Sequence, residues 1–311
     1  MPENVVITGG TGFIGSAIIA ELLAHGFNVI VLIRPESDRT RLAHFSNIDV
    51  LTYVSLLSDE TCAALTAKRP DVFIHCAWRG VAGNDRNESF QVRGNISLTL
   101  ESVELASALN CKHWIGLGSQ AEYGNQNIRL NENAAVRPTT LYGKAKLAAG
   151  IAALAQCEAH GIIGTWLRVF STYGPGDSPN WFIPFVIQEF LAHNKPALTK
   201  CEQQWDYLFV RDAARAIVSV IIKRVGGVFN VGSGSSRPLI DYVEAIRAEL
   251  NFTLLPDYGA VLYRPDQVMH LEADVSKLSS LTGWCPQVNL HDGIRETVAF
   301  ELCRSMHSKR I

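Results

Sequence analysis

Tyr142 and Lys146 stand four residues apart in the run Tyr142-Gly143-Lys144-Ala145-Lys146. On a helix that spacing sets both side chains on one face. A phenol ordinarily titrates near pH 10. A neighbouring ammonium favours the phenolate and draws that value down. Tyr142 can then exchange a proton with a hydroxyl or ketone near neutral pH. Ser119 follows the apolar run ending Gly116-Leu117-Gly118. From a strand end its hydroxyl can hold the same substrate oxygen.

A second set of residues suits phosphate. Gly9, Gly12 and Gly15 lie in Thr8-Gly9-Gly10-Thr11-Gly12-Phe13-Ile14-Gly15, between an apolar strand and a helical stretch. Glycine permits the tight turn, lets a pyrophosphate approach the main chain and lets the helix pack close to the strand. The helix N-terminus adds free N–H groups and a positive dipole end. The spacing therefore predicts a dinucleotide. An acidic residue about 20 residues on would hold the ribose hydroxyls of NAD. The second apolar run, Val29 to Ile33, ends instead in Arg34, whose guanidinium suits a 2′-phosphate. NADP is expected, with NAD kept open by Glu36 and Asp38.

Other reactive residues read as packing. His75 and Cys76 have no second His/Cys cluster at ligand spacing, so no metal is expected. Trp166, Trp205 and Trp284 read as core. Trp78-Arg79 could line a substrate cavity.

These groups need elements to position them. Strands are predicted at Asn4–Thr8, Asn28–Ile33, Asp49–Tyr53, Val72–His75, His113–Leu117 and Gly164–Val169. Helices are predicted at Gly12–Ala24, Cys62–Lys68, Asn95–Leu109 and Leu141–His160. The alternation argues for a parallel sheet with helices on both faces, its ligands at the carboxyl ends of the strands. Prolines at 175, 179, 184 and 196 break the pattern. A helix at Asp212–Lys223 and a strand at Val228–Gly232 return the chain to the main sheet. The expected division is 1–171 with about 206–235 for the dinucleotide, and 172–205 with 236–311 for the substrate.

The whole chain has 311 residues, 28 Lys+Arg against 30 Asp+Glu, and 47% hydrophobic residues. That is ample for a core and excludes general disorder. No apolar run reaches the length of a membrane span. Near-neutral charge gives no bulk attraction to nucleic acid or an anionic membrane. Only a few residues precede the first strand, so no cleavable leader is expected. Seven scattered cysteines without a CxxC pair read as free thiols in a cytoplasmic protein.

Taken together, these motifs resemble the extended short-chain dehydrogenases/reductases of the nucleotide-sugar epimerase/dehydratase type. Further matches are Asp71 to Ala77, Asn95, Gly118-Ser119-Gln120-Ala121-Glu122-Tyr123-Gly124, Leu167 to Gly176, Asp206 to Asp212, and Arg264-Pro265. The resemblance implies an α/β fold: a Rossmann-type doubly wound parallel sheet with a smaller mixed α/β substrate-binding lobe. It implies that the amides of Phe13 and Ile14 hold the pyrophosphate and that Leu56 flanks adenine. Ala77, Phe170 and Thr172 would lie along the cofactor, and Lys146 would also bind the nicotinamide ribose. Asn95 would be structural. Ser119 and Gln120 would face the sugar, and Asn180 and Arg264 would meet the substrate phosphates. A homodimer paired through the helices at 95–109 and 141–160 is implied.

Members of this family epimerise, dehydrate, decarboxylate or reduce nucleotide-linked sugars. A dehydratase needs an Asp-Glu pair directly after the Ser/Thr. Gln120 and Ala121 occupy those positions, and Glu122 comes one place late. Arg34 and Ser171 favour a reductase using NADPH on a 4-keto-6-deoxy sugar linked to CDP or dTDP. An NAD-dependent 4-epimerase is the alternative. A non-catalytic NADP-sensing relative would lack the Tyr/Lys pair, whereas Ser119, Tyr142 and Lys146 are all present.

Overall fold

The computed structural model describes residues 3–81 and 83–308. Seven strands, β1 (Asn4–Thr8), β2 (Asn28–Ile33), β3 (Ile48–Thr52), β4 (Val72–His75), β5 (His113–Ser119), β6 (Ile163–Val169) and β7 (Gly227–Val231), form one sheet. Every pairing in it is parallel, in the order β3-β2-β1-β4-β5-β6-β7. The order reverses between β1 and β4, so their carboxyl ends, Thr8 and His75, flank the crevice where such a sheet takes its ligand.

The sheet is buried on both faces, which is why its strands read as continuous apolar runs rather than as alternation. Val5 and Ile7 enter one core layer, with Ile18 and Ile217 from the helices above them. Val6 enters the other, with Val103, Ala149 and Trp166. The helices are α1 (Phe13–Ala24), α2 (Asp59–Thr66), α3 (Phe90–Arg93), α4 (Asn95–Ala108), α5 (Leu141–Ala159), α6 (Phe182–Leu191), α7 (Val210–Lys223), α8 (Leu239–Glu249), α9 (Ser276–Thr282) and α10 (Leu290–Ser308). α1 packs on α7 over one face of the sheet, and α4 on α5 over the other.

Several boundaries differ from expectation by one to three residues, two of them for clear local reasons. α2 starts earlier than predicted because Ser58 accepts a hydrogen bond from the Thr61 amide and Asp59 and Glu60 occupy its positive end. β5 runs on to Ser119 because Gly118 and Ser119 still pair with Arg168 and Val169 of β6. Gly118 is the only residue that fits there: a Cβ would stand 2.3 Å from the Trp166 indole nitrogen.

A third core joins α6, α8 and α10 through Ile187, Tyr242, Val243, Ile294 and Val298. Beside it, four short segments (Arg129–Leu130, Gln204–Trp205, Arg237–Pro238 and His270–Ala273) form a small sheet that the sequence pattern did not reveal. Asp206 pins this region to the main sheet. Its carboxylate accepts hydrogen bonds from the amides of Ser233, Gly234 and Ala273.

Candidate active site

The glycine loop follows β1 directly. Gly9 has φ +71°, and a Cβ there would lie 2.6 Å from the amide of Ala77, the residue that leaves β4. A Cβ on Gly15 would lie 2.2 Å from the Gly9 carbonyl. These glycines bring the loop, α1 and the end of β4 together at the crevice. Gly12 opens α1 with no side-chain cap, and the first turn carries no acidic residue. The amides of Phe13 and Ile14 are therefore unopposed by a protein anion, which fits a pyrophosphate. His75 backs the crevice. Its ring bonds Thr8 at 2.9 Å and Thr99 at 3.3 Å, and burial pushes its pKa down to about 3. It packs as a neutral imidazole, and the described residues contain no cluster suited to a metal. Burial likewise pushes the Cys76 thiol up to about 12, which leaves it a poor nucleophile.

Ser119, Tyr142 and Lys146 converge at the end of β5. Close glycine contacts seat α5 on the sheet: a Cβ on Gly143 would stand 2.5 Å from the Ala121 carbonyl, and one on Gly150 would stand 2.6 Å from the Trp166 ring. Thr140 caps the helix through the Gly143 amide, so Tyr142 sits in its first turn. Tyr142 is 7% exposed and Lys146 4%. The Ser119 hydroxyl lies close enough to the Tyr142 phenol to draw its pKa down. Ser119 Oγ also accepts from the Ala121 amide at 3.2 Å, leaving its own proton for another oxygen.

The electrostatics differ from the sequence expectation. Burial raises the Tyr142 pKa; the Ser119 hydrogen bond and the charge of Arg86 oppose that rise, and Glu122 adds to it. Lys146 lies beside Tyr142 and has further contacts. Its Nζ donates to the Leu117 carbonyl at 2.6 Å and lies 3.8 Å over the Trp78 ring, but 6.0 Å from the Tyr142 centroid. Burial brings the Lys146 pKa down to about 7.

Glu122 turns away from the crevice. Its Oε1 accepts from the Ser119 amide and from Trp166 Nε1, both at 2.9 Å, and its Oε2 meets Arg168 Nε at 2.8 Å. It braces Ser119 from behind.

The remaining predicted residues scatter more widely. Ala77 and Thr172 are half-buried and Phe170 is buried near the crevice. Leu56 is fully buried among core residues, so its side chain presents no surface to adenine. Arg34 is exposed and pairs with Glu36 at 3.2 Å. Asp38 caps Thr40 rather than facing a ribose. Gln120 is half-buried beside Ser119, while Asn180 and Arg264 lie on exposed loops. The loop of Arg264 is tied to the segment after Ser119: Asn125 donates to the Asp266 carbonyl, and Asn127 accepts from the amides of Met269 and His270. Asn95 is structural as expected, clasping the main-chain N–H and carbonyl of Arg79. Trp166 and Trp284 are core; Trp205 is half-buried, packs against two of the cores and donates to Ser171 at 2.9 Å.

Three residues were missed. Arg41 bridges the carbonyls of Thr11 and Gly176, joining the glycine loop to the segment that follows β6. Gln91 is fully buried, and Arg86 stacks on Tyr142 with its guanidinium carbon 4.5 Å from the ring centroid. None stands in a spaced motif. A separate cleft of about 600 Å³ opens near Asp71, Lys112, His113 and Arg224. It lies at the amino ends of the strands, away from the crevice and from Ser119 and Tyr142.

The comparisons agree with this geometry. Residues 5–232 match the NAD dependent epimerase/dehydratase family. A UDP-N-acetylglucosamine 4-epimerase from Methanobrevibacter ruminantium, solved with UDP-N-acetylmuramic acid, superposes with a TM-score of 0.87 at 25% identity, covering 98% of this chain and 100% of that one. A dTDP-glucose 4,6-dehydratase of Shigella flexneri is 25% identical, covering 97% of this chain and 93% of its own. A CDP-abequose synthase of Salmonella muenchen is 24% identical, covering 96% and 98%. With the glycine loop, the switch point and the Ser119–Tyr142–Lys146 cluster in place, the chain belongs to the NAD dependent epimerase/dehydratase family.

Proposed function

We propose that the protein reduces the 4-keto group of a 4-keto-6-deoxy sugar linked to CDP or dTDP, using NADPH. The observation that carries this reading is the placement of Glu122. The stretch after Ser119 holds Gln120 and Ala121, and its one carboxylate is committed to Trp166 and Arg168. The proton-shuttling acids of a dehydratase therefore have no counterpart in this stretch, whereas a single proton donor suffices for ketone reduction.

The amides of Phe13 and Ile14 would hold the cofactor pyrophosphate. Arg34 would meet the 2′-phosphate, exchanging its exposed pairing with Glu36 for a charge-assisted contact. Glu36 and Asp38 are both engaged locally, which supports NADP over NAD. Ala77, Phe170 and Thr172 would line the cofactor. Bound NADPH supplies the hydride for C4. Tyr142 gives the phenolic proton to the C4 oxygen, and Ser119 donates a hydrogen bond that orients it. Lys146, anchored on the Leu117 carbonyl, supports Tyr142 and would bind the nicotinamide ribose. Asn180 and Arg264 would receive the substrate phosphates. Homodimerisation through α4 and α5 would cover Ile151, which is 64% exposed on α5.

The relatives named as 4-epimerases support a second reading, NAD-dependent 4-epimerisation by the same residues. Absorbance at 340 nm separates the two. NADPH or NADH is supplied with a panel of 4-keto-6-deoxy sugars on dTDP and CDP. Stoichiometric NADPH oxidation is expected, lost by at least about 100-fold in Tyr142→Phe. Interconversion of isomers without net oxidation would replace this reading with the epimerase.

A further inference from the structure

We propose that Arg41 is a clasp across the cofactor crevice, and that its opening sets the rate at which the dinucleotide is exchanged. The proposal rests on the glycine loop and the stretch at 170–172 holding the dinucleotide, as above, and not on which reaction follows.

The bridge joins segments remote in sequence. Arg41 Nη1 donates to the Thr11 carbonyl at 3.2 Å, and Nη2 donates to the Gly176 carbonyl at 2.8 Å. Thr11 belongs to the glycine loop, one residue before Gly12, which opens α1. Gly176 lies four residues past Thr172, in the segment that follows β6. Among the described residues no hydrogen bond joins positions 9–15 directly to positions 170–178, so the Arg41 side chain is the hydrogen-bonded link between them. A dinucleotide lying between the glycine loop and Phe170 and Thr172 has its two sides tied together by one guanidinium.

The sequence places the arginine for this task. It stands in the single turn Thr40–Leu42, and Leu42 is buried in the core layer that holds Ile18. Asp38 caps the turn by accepting from the Thr40 amide and hydroxyl. The other end is seated as firmly. Gly176 has φ +82°, and a Cβ there would stand 3.8 Å from both Arg41 Nε and the Phe300 ring of α10. Asp177 beside it is buried; burial raises its pKa to about 7, and the Ser178 amide and the Arg41 charge oppose that rise. A guanidinium can span two carbonyls because its N–H donors form a planar fork, whereas an ammonium is a point donor. Arg41 is thus a positioning residue: it holds the loop and the segment that would touch the cofactor. A reductase exchanges its cofactor at each turnover, so the clasp opens once per cycle.

The test reads release directly. Bound NADPH is displaced by excess NADP+ in a stopped-flow cell, and nicotinamide fluorescence follows its loss; NADH and NAD+ replace them if the protein binds that pair instead. Arg41→Met is expected to release cofactor at least about 10-fold faster, with association changed by less than about 3-fold. Arg41→Lys keeps the charge but cannot span both carbonyls, and is expected to release at least about 5-fold faster. An unchanged release rate in Arg41→Met would overturn the proposal, as would a loss of affinity carried by slower association. A parental rate in Arg41→Lys would overturn it too, making Arg41 a charge for the cofactor phosphates rather than a clasp. Should the Met variant fail to fold, the Lys variant decides by the same criterion. The measurement needs no sugar substrate. Faster release as expected, with no NADPH oxidation by the 4-keto sugars in the parent, removes the ketoreductase reading alone.

Discussion

Replacing Glu122 with Gln separates a bracing role from an acid–base one. The Glu122 and Arg168 side chains are 1% and 8% exposed and meet at 2.8 Å. Glu122 also serves the Ser119 amide and Trp166 Nε1 through Oε1. A glutamine oxygen can keep those two bonds, but its NH2 then faces the Arg168 guanidinium, donor against donor. Breaking one side of a buried pair costs about 3–5 kcal/mol. With the Oε1 bonds retained, a loss of about 3 kcal/mol is expected. At roughly 2 °C per kcal/mol for a chain of this size, Tm should fall by about 6 °C. Circular dichroism at 222 nm follows the unfolding. Arg168→Met and the double variant complete a cycle, whose coupling energy should be about 2 kcal/mol or more. Unchanged Tm, or costs that simply add, would refute the buried brace. Loss of turnover at full stability would instead make Glu122 an acid–base group and reopen dehydration.

Other outcomes follow from the same geometry. Lys146 is depressed from 10.5 to about 7 in the folded protein, so between pH 7 and 10 the unfolded chain binds more protons and stability attributable to this group rises with pH. Lys146→Met should therefore be more stable than the parent at pH 6 by at least about 1 kcal/mol, with the gap narrowing by pH 10 in urea titrations; a constant gap would contradict the depressed pKa. Gly15→Ala places a Cβ 2.2 Å from the Gly9 carbonyl and should weaken NADP+ binding by at least about 10-fold by calorimetry, through loss of the loop's shape. Asp206→Ala strands the amides of Ser233, Gly234 and Ala273 and should lower the urea midpoint by an amount equal to about 2–4 kcal/mol.

Much of the scaffold was readable because its signals are local. β1, β2 and β4 fall where their apolar runs predict, since a strand buried on both faces needs an unbroken run and little else. The glycine loop and the Tyr142–Lys146 spacing are likewise properties of a few consecutive residues. The small sheet was not readable: Gln204–Trp205, Arg237–Pro238 and His270–Ala273 are short, and only partners far along the chain make them strands.

For the site, the sequence by itself determined which groups could exchange a proton and which amides could hold a phosphate. Tertiary structure decided their charges. Spacing puts Lys146 on the face of Tyr142; only the fold adds its contacts with the Leu117 carbonyl and the Trp78 ring and brings Arg86, 56 positions before the tyrosine, onto the phenol ring. Glu122 looks like a displaced acid until Trp166 and Arg168, from a different strand, claim both its oxygens. The physical reason is common to both cases. Helical spacing sets the face on which a side chain emerges. Its protonation and direction depend on desolvation and on charges brought in by elements remote in sequence.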